Sequence, residues 1–145
     1  MTDTATATRD AAAVMNGVIP YVGYGGRAGE AADFYMRAFG ATDMGRMPDN
    51  ERPERLMHAQ VEINGGCLMM TDMGCEDGED PGRLNRAHMQ LVVVDGRAWW
   101  DRALAAGCTE VMPYERQFWG DDWGLVEDPF GIQWAILQPG SGRGE

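Results

Sequence analysis

The chain repeats one pattern. FYMRAFGAT (Phe34 to Thr42) and WWDRALAAGCT (Trp99 to Thr109) each place paired aromatic residues before an arginine, a small apolar run, a glycine and a threonine. Ala31, Phe34, Tyr35, Ala38 and Phe39 fall on one face at helical spacing, as do Trp99, Trp100, Ala103 and Leu104. Gly40 and Gly107 follow, where a helix ends most easily in a left-handed residue. Two copies of one amphipathic helix constrain the chain to two copies of one unit wherever their flanks also match.

The flanks do match. GVIPYVGYGG precedes the first helix and AHMQLVVVD the second, each a short apolar strand. TDMGRMP, RLMHAQVEI and CLMMTDM follow the first, the last two joined by NGG, a hairpin signal. TEVMPYERQFW, WGLVEDP and IQWAIL follow the second, the last two joined at DPFG. Each half reads strand, helix, strand, strand, strand. The expected fold class is α+β: two paired βαβββ modules forming a curved mixed sheet with a cleft. The expected boundaries are a flexible arm over 1–16, one domain over 17–138 and a flexible tail over 139–145. Within the domain, module one is 17–73, the linker 74–86 and module two 87–138.

Alternation assigns faces. Met57, Ala59, Val61 and Ile63 oppose His58, Gln60 and Glu62. Met89, Leu91 and Val93 oppose His88, Gln90, Val92 and Val94. Ile132, Trp134 and Ile136 oppose Gln133, Ala135 and Leu137. The first set of each strand is expected on the helices. The second set is expected to line a concave surface. In DPFG, Asp128 is expected to bond turn amides, Pro129 to fix φ, and Gly131 to take a conformation other residues avoid.

PYVGYGGRAGEAADFYMRAFGA, HAQVEINGGCLMMTD and QFWGDDWGLVEDPFGIQWAI together resemble the vicinal oxygen chelate superfamily, the glyoxalase, bleomycin-resistance and extradiol-dioxygenase group. Within it the chain is most similar to the PhnB-like branch, over roughly Val18 to Leu137. The resemblance implies paired βαβββ modules, a homodimer and, in metal-using relatives, four ligands on inner strand faces. Here those positions match Pro20 or Tyr21, Met69 or Met70, His88 and Ala135. Only His88 is a usual ligand, and a zinc site needs about three protein ligands. No cofactor is expected. A rearranged site using His58, His88 and Glu62 would depart from the family's arrangement.

The remaining candidates suit a ligand. ERQFWGDDWG puts Trp119 and Trp123 in one short loop, either as a lid or dimer seam, or to stack on a ligand. Trp119 with His88 and Gln90 forms an expected aromatic and polar box. Tyr21 or Tyr24, with Met69 or Met70, adds an adaptable wall, and His58 and Gln60 face the same way. The expected ligand-binding set is therefore Tyr21, Tyr24, His58, Gln60, Met69, His88, Gln90, Trp119 and Trp123. The expected partner is a small planar or aromatic molecule. His88 is the candidate acid or base, since imidazole exchanges protons near neutrality. Asp121 and Asp122 are expected as exposed carboxylates, with attraction of a cationic group as the alternative, and Arg46 and Arg116 in ion pairs, with an anion as the alternative.

Composition narrows the class. A net charge of −11 repels phosphate backbones and anionic membrane surfaces, so neither nucleic acid nor membrane is an expected partner. Three cysteines without CxxC spacing do not make a disulfide framework, and a cytoplasmic setting follows. The expected function is metal-independent binding or sequestration of a small molecule. The alternative is a lyase, isomerase or dioxygenase using a non-standard metal site or His88.

Overall fold

The computed structural model describes residues 19–73 and 88–140. The expected arm and linker lie outside them. The elements are β1 (Tyr21–Gly23), α1 (Ala28–Phe39), β2 (Thr42–Pro48), β3 (Leu56–Ile63) and β4 (Gly66–Thr71), then β5 (Met89–Val92), α2 (Gly96–Ala106), β6 (Thr109–Arg116), β7 (Asp122–Glu127) and β8 (Gln133–Gln138). The strands form two four-stranded sheets, ordered β1-β4-β3-β2 and β5-β8-β7-β6. In each, the first strand runs parallel to its neighbour and the other pairs are antiparallel. The repeat read from the helices is thus a repeat of topology, α+β with two βαβββ modules. Each module contributes one four-stranded mixed sheet.

The described residues divide into two compact units, 19–36 with 40–73, and 37–39 with 88–140. The end of α1 therefore groups with the second unit, although its sequence lies in module one. The reason is packing: Phe39 lies 4.7 Å from Trp134 between ring centroids, and Arg102 Nε donates to the Ala38 carbonyl at 3.3 Å.

Each element forms for a local reason. The apolar stripe of α1 is buried at Ala31, Phe34, Tyr35, Ala38 and Phe39, each worth up to ~3 kcal/mol for the larger side chains. Gly96, Trp100 and Ala103 are the buried positions of α2. Gly40 ends α1 at φ 65°. Asn64 and Gly65 both have positive φ and join β3 to β4 as a two-residue hairpin, so NGG acts as expected. Asp128 Oδ1 accepts from the amides of Phe130 and Ile132, both at 2.9 Å, and Oδ2 from Trp134 Nε1 at 2.9 Å. The DPFG turn thus fixes both the hairpin and the inward Trp134. Pro139 and Gly140, expected in the tail, are described, and the Gly140 amide donates to Asp121 Oδ1 at 2.9 Å.

The first unit turns on Asp72. This carboxylate is fully buried. Oδ1 accepts from Gly26 and Ala28 amides at 2.8 and 2.9 Å, and Oδ2 accepts from Leu56 at 2.9 Å. It binds the start of α1, where a negative charge is favoured, to the start of β3. In the second unit the corresponding amide, Gly96, donates to Gln138 Oε1 at 2.8 Å.

Both Asp72 oxygens receive N–H groups, so an amide at this position must aim its own N–H at a donor. Asp72→Asn is expected to lower the unfolding free energy by about 2–4 kcal/mol, measured by urea denaturation. A loss below 0.5 kcal/mol contradicts the assignment.

Candidate functional site

Each sheet has a face turned away from its helix, and register sets what stands there. In the first sheet Tyr21, Met69, Gln60 and Gly45 are successive cross-strand neighbours. In the second, topology places Gln90, Ala135, Leu125 and Met112 in the same row. These rows decide the alternatives left by sequence. Tyr21 is 56% exposed, whereas Tyr24 is fully buried with its hydroxyl 2.9 Å from that of Tyr35. Tyr24 is therefore a core residue, contrary to its expected place in a ligand wall, because it lies an odd number of positions from Tyr21 on an alternating strand path. Likewise Met69 is partly exposed and Met70 fully buried.

In the first unit Tyr21 Oη is 2.7 Å from His58 Nδ1, with the rings edge to face. When the phenol donates, His58 is neutral and its proton sits on Nε2. Beside them a shallow cavity of about 200 Å³ is lined by Met44, Gly45, Arg46, Met47, His58 and Gln60. Gln60 Nε2 is buried with no hydrogen-bond partner among the described residues. Arg46 binds Asp33 at 2.7 Å and Asp43 at 2.9 Å, the pairing expected of it.

In the second unit His88, Gln90 and Trp123 come together. Gln90 Oε1 lies 3.4 Å from both His88 Nε2 and Trp123 Nε1. His88 and Trp123 meet edge to face at 6.4 Å, and Trp119 extends the cluster at 6.1 Å from Trp123. Phe118, which sequence reasoning passed over, continues it at 5.0 Å from Trp119 and is 97% exposed. Its adjacency to Trp119 was the available signal. Glu115 was also missed: it stands directly across from Trp123. Asp121 is fully buried, correcting its expected exposure, since its carboxylate ties down Gly140. Asp122 is held by Arg116 at 2.6 Å.

Of the four positions matching the family's metal ligands, only His88 carries a usual donor. Tyr21 faces Met69, and Gln90, two residues beyond His88, faces Ala135. A thioether and a methyl group do not bind a hard divalent ion. Among the described residues no three His, Cys, Asp or Glu side chains are grouped to hold a metal. The thiols of Cys67 and Cys108 are not poised as nucleophiles either. Burial, with the neighbouring Asp128 carboxylate, pushes Cys108 up to about 12, and burial also raises Cys67.

With fold and faces in place, the kinship is plain. The chain belongs to the glyoxalase/bleomycin resistance protein/dioxygenase superfamily, whose profile matches residues 20–136. It is 40% identical over 118 residues to the uncharacterized protein Rv0887c of Mycobacterium tuberculosis, covering 77% of this chain and 68% of that one. It is 28% identical over 140 residues to protein YjdN of Escherichia coli, covering 81% and 91%. In structure it is similar to the PhnB protein of Bacillus cereus, with a TM-score of 0.69 and 16% identity over 85% of this chain and 99% of that one. No helix among the described residues is long and apolar enough to cross a membrane.

Raised pKa and burial make a reactivity prediction. In native Cys75→Ser protein at pH 8, iodoacetamide is expected to leave Cys108 unmodified, and unfolding in guanidinium is expected to expose it. Mass spectrometry of peptides reads both; rapid native labelling of Cys108 contradicts the assignment.

Proposed function

We propose that this chain is a PhnB-like small-molecule-binding protein that sequesters its ligand without a metal. The observation carrying this reading is the cluster of His88 and Trp123 beside Gln90, extended by Trp119, half-exposed aromatic surface next to a hydrogen-bond acceptor. Such surface costs solvation when left bare and gains when a ligand covers it. The donor set at the ligand positions supports the metal-independent part. Sheet edges that expose unpaired backbone groups favour a homodimer, and we propose that state as well; light scattering in solution tests it. A cytoplasmic setting is part of the same proposal.

Tryptophan fluorescence across a library of aromatic metabolites and antibiotics tests binding. Saturable quenching is expected, and Trp119→Ala is expected to weaken it at least about tenfold, roughly 1.4 kcal/mol. Quenching indifferent to this change removes the site. Metal analysis of protein purified without chelator tests the alternative. Stoichiometric metal that His88→Ala abolishes would replace sequestration with metal-centred catalysis.

A further inference from the structure

The rings in the second unit stand across one another instead of stacking. Phe118 and Trp119 meet at 89°, Trp119 and Trp123 at 69°, and His88 and Trp123 at 72°. A flat ligand gains most between parallel faces and can lie on only one wall of a right-angled corner. A compact group with diffuse positive charge can touch the negative faces of two walls at once.

The surrounding charge has the matching sign. Glu115 is the cross-strand partner of Trp123 and therefore shares its face. It is exposed, and its carboxylate has no ion pair among the described residues. Arg116, the single cation between Glu115 and Gly124, is neutralised by Asp122 at 2.6 Å. Gln90 adds a carbonyl dipole 3.4 Å from Trp123 Nε1. Trp119 is 43% exposed and Phe118 almost wholly so, so their faces are available. The chain's net charge of −11 adds a long-range attraction for cations.

We infer that the corner formed by Phe118, Trp119 and Trp123, with Glu115 beside it, binds an alkylated ammonium group of a small tertiary or quaternary amine. This rests on the ligand-binding reading above and changes its ligand from a planar aromatic to a compact cation.

Choline and its uncharged carbon isostere, 3,3-dimethyl-1-butanol, separate charge from shape, and quinoline serves as the flat probe. Binding is read by tryptophan fluorescence and by the indole N–H resonances of the full chain. Choline is expected to bind at least about fivefold more tightly than the isostere. Trp119→Leu removes that preference and Trp119→Phe keeps most of it, with circular dichroism confirming that both variants are folded. Glu115→Gln weakens choline about threefold at low salt and leaves the isostere unchanged. Equal affinity for choline and isostere overturns the inference, as does a preference that survives Trp119→Leu and Trp123→Leu. Saturable quinoline binding without choline binding overturns it while leaving the small-molecule site standing. If no probe binds here but the aromatic library does, the cation assignment alone falls; if nothing binds, both readings fall.

Discussion

A fully buried carboxylate holds the first unit together. Burying Asp72 costs several kcal/mol before any partner is counted. Three backbone amides and the start of α1 offset that cost, and the amides come from two distant stretches of chain: Gly26 and Ala28 from one, Leu56 from the other. The end of β4, the loop after β1, the helix start and the start of β3 therefore move as one. The Tyr24 amide donates to the Thr71 carbonyl at 2.8 Å just before this knot. That bond seats Tyr24 inward and, by alternation, Tyr21 outward to meet His58. In the second unit the same backbone bond recurs from Val93 to Leu137 at 2.9 Å, and Gln138 takes the place of Asp72. A neutral acceptor suffices there because it serves one amide, not three.

The second unit relies on missing side chains where the first relies on charge. A Cβ on Gly124 would sit 2.7 Å from both the Trp100 ring and the Tyr114 backbone, and one on Gly96 would sit 1.8 Å from Tyr114 Oη. These absences let Trp100 and Tyr114 stack at 5.5 Å, with Arg97 over the Tyr114 ring at 4.9 Å. Burial, with the Asp122 carboxylate nearby, raises the phenol of Tyr114, so it stays protonated and packs as a neutral ring. Because Gly124 and Tyr114 face the helix, their neighbours Trp123 and Glu115 must face away. The aromatic corner is thus set by what two glycines permit on the opposite side of the sheet.

Periodicity and turn chemistry carried most of the fold. Both helices, the NGG hairpin and the DPFG turn announce themselves through local rules, and the matching flanks announce the repeat. Alternation also placed His58, Gln60, His88 and Gln90 on the non-helix faces. What stayed illegible depends on contacts distant in sequence. Asp72 looks like any strand-end acid until Gly26 and Leu56 arrive on it. Asp121 looks solvated until Gly140 returns to it. Tyr21 and Tyr24 are equivalent aromatic residues in a glycine-rich stretch, and only pairing with β4 separates them. The grouping of Arg37–Phe39 with the second unit depends on Trp134, far along the chain, and no helical pattern encodes it.

Ala135 explains why the rest of the site follows its own chemistry. It is fully buried between Gln90 and Leu125 in the cross-strand row. A carboxylate there would be sustained only beside a cation, because an unpaired buried charge costs far more than a strand-face contact returns. Its neighbours offer an amide and an isobutyl group. Alanine suits this buried place, where neither cross-strand neighbour supplies a positive charge to an acid. The cation site proposed at Glu115, Trp119 and Trp123 differs in this respect: its carboxylate is exposed and stays solvated without a partner.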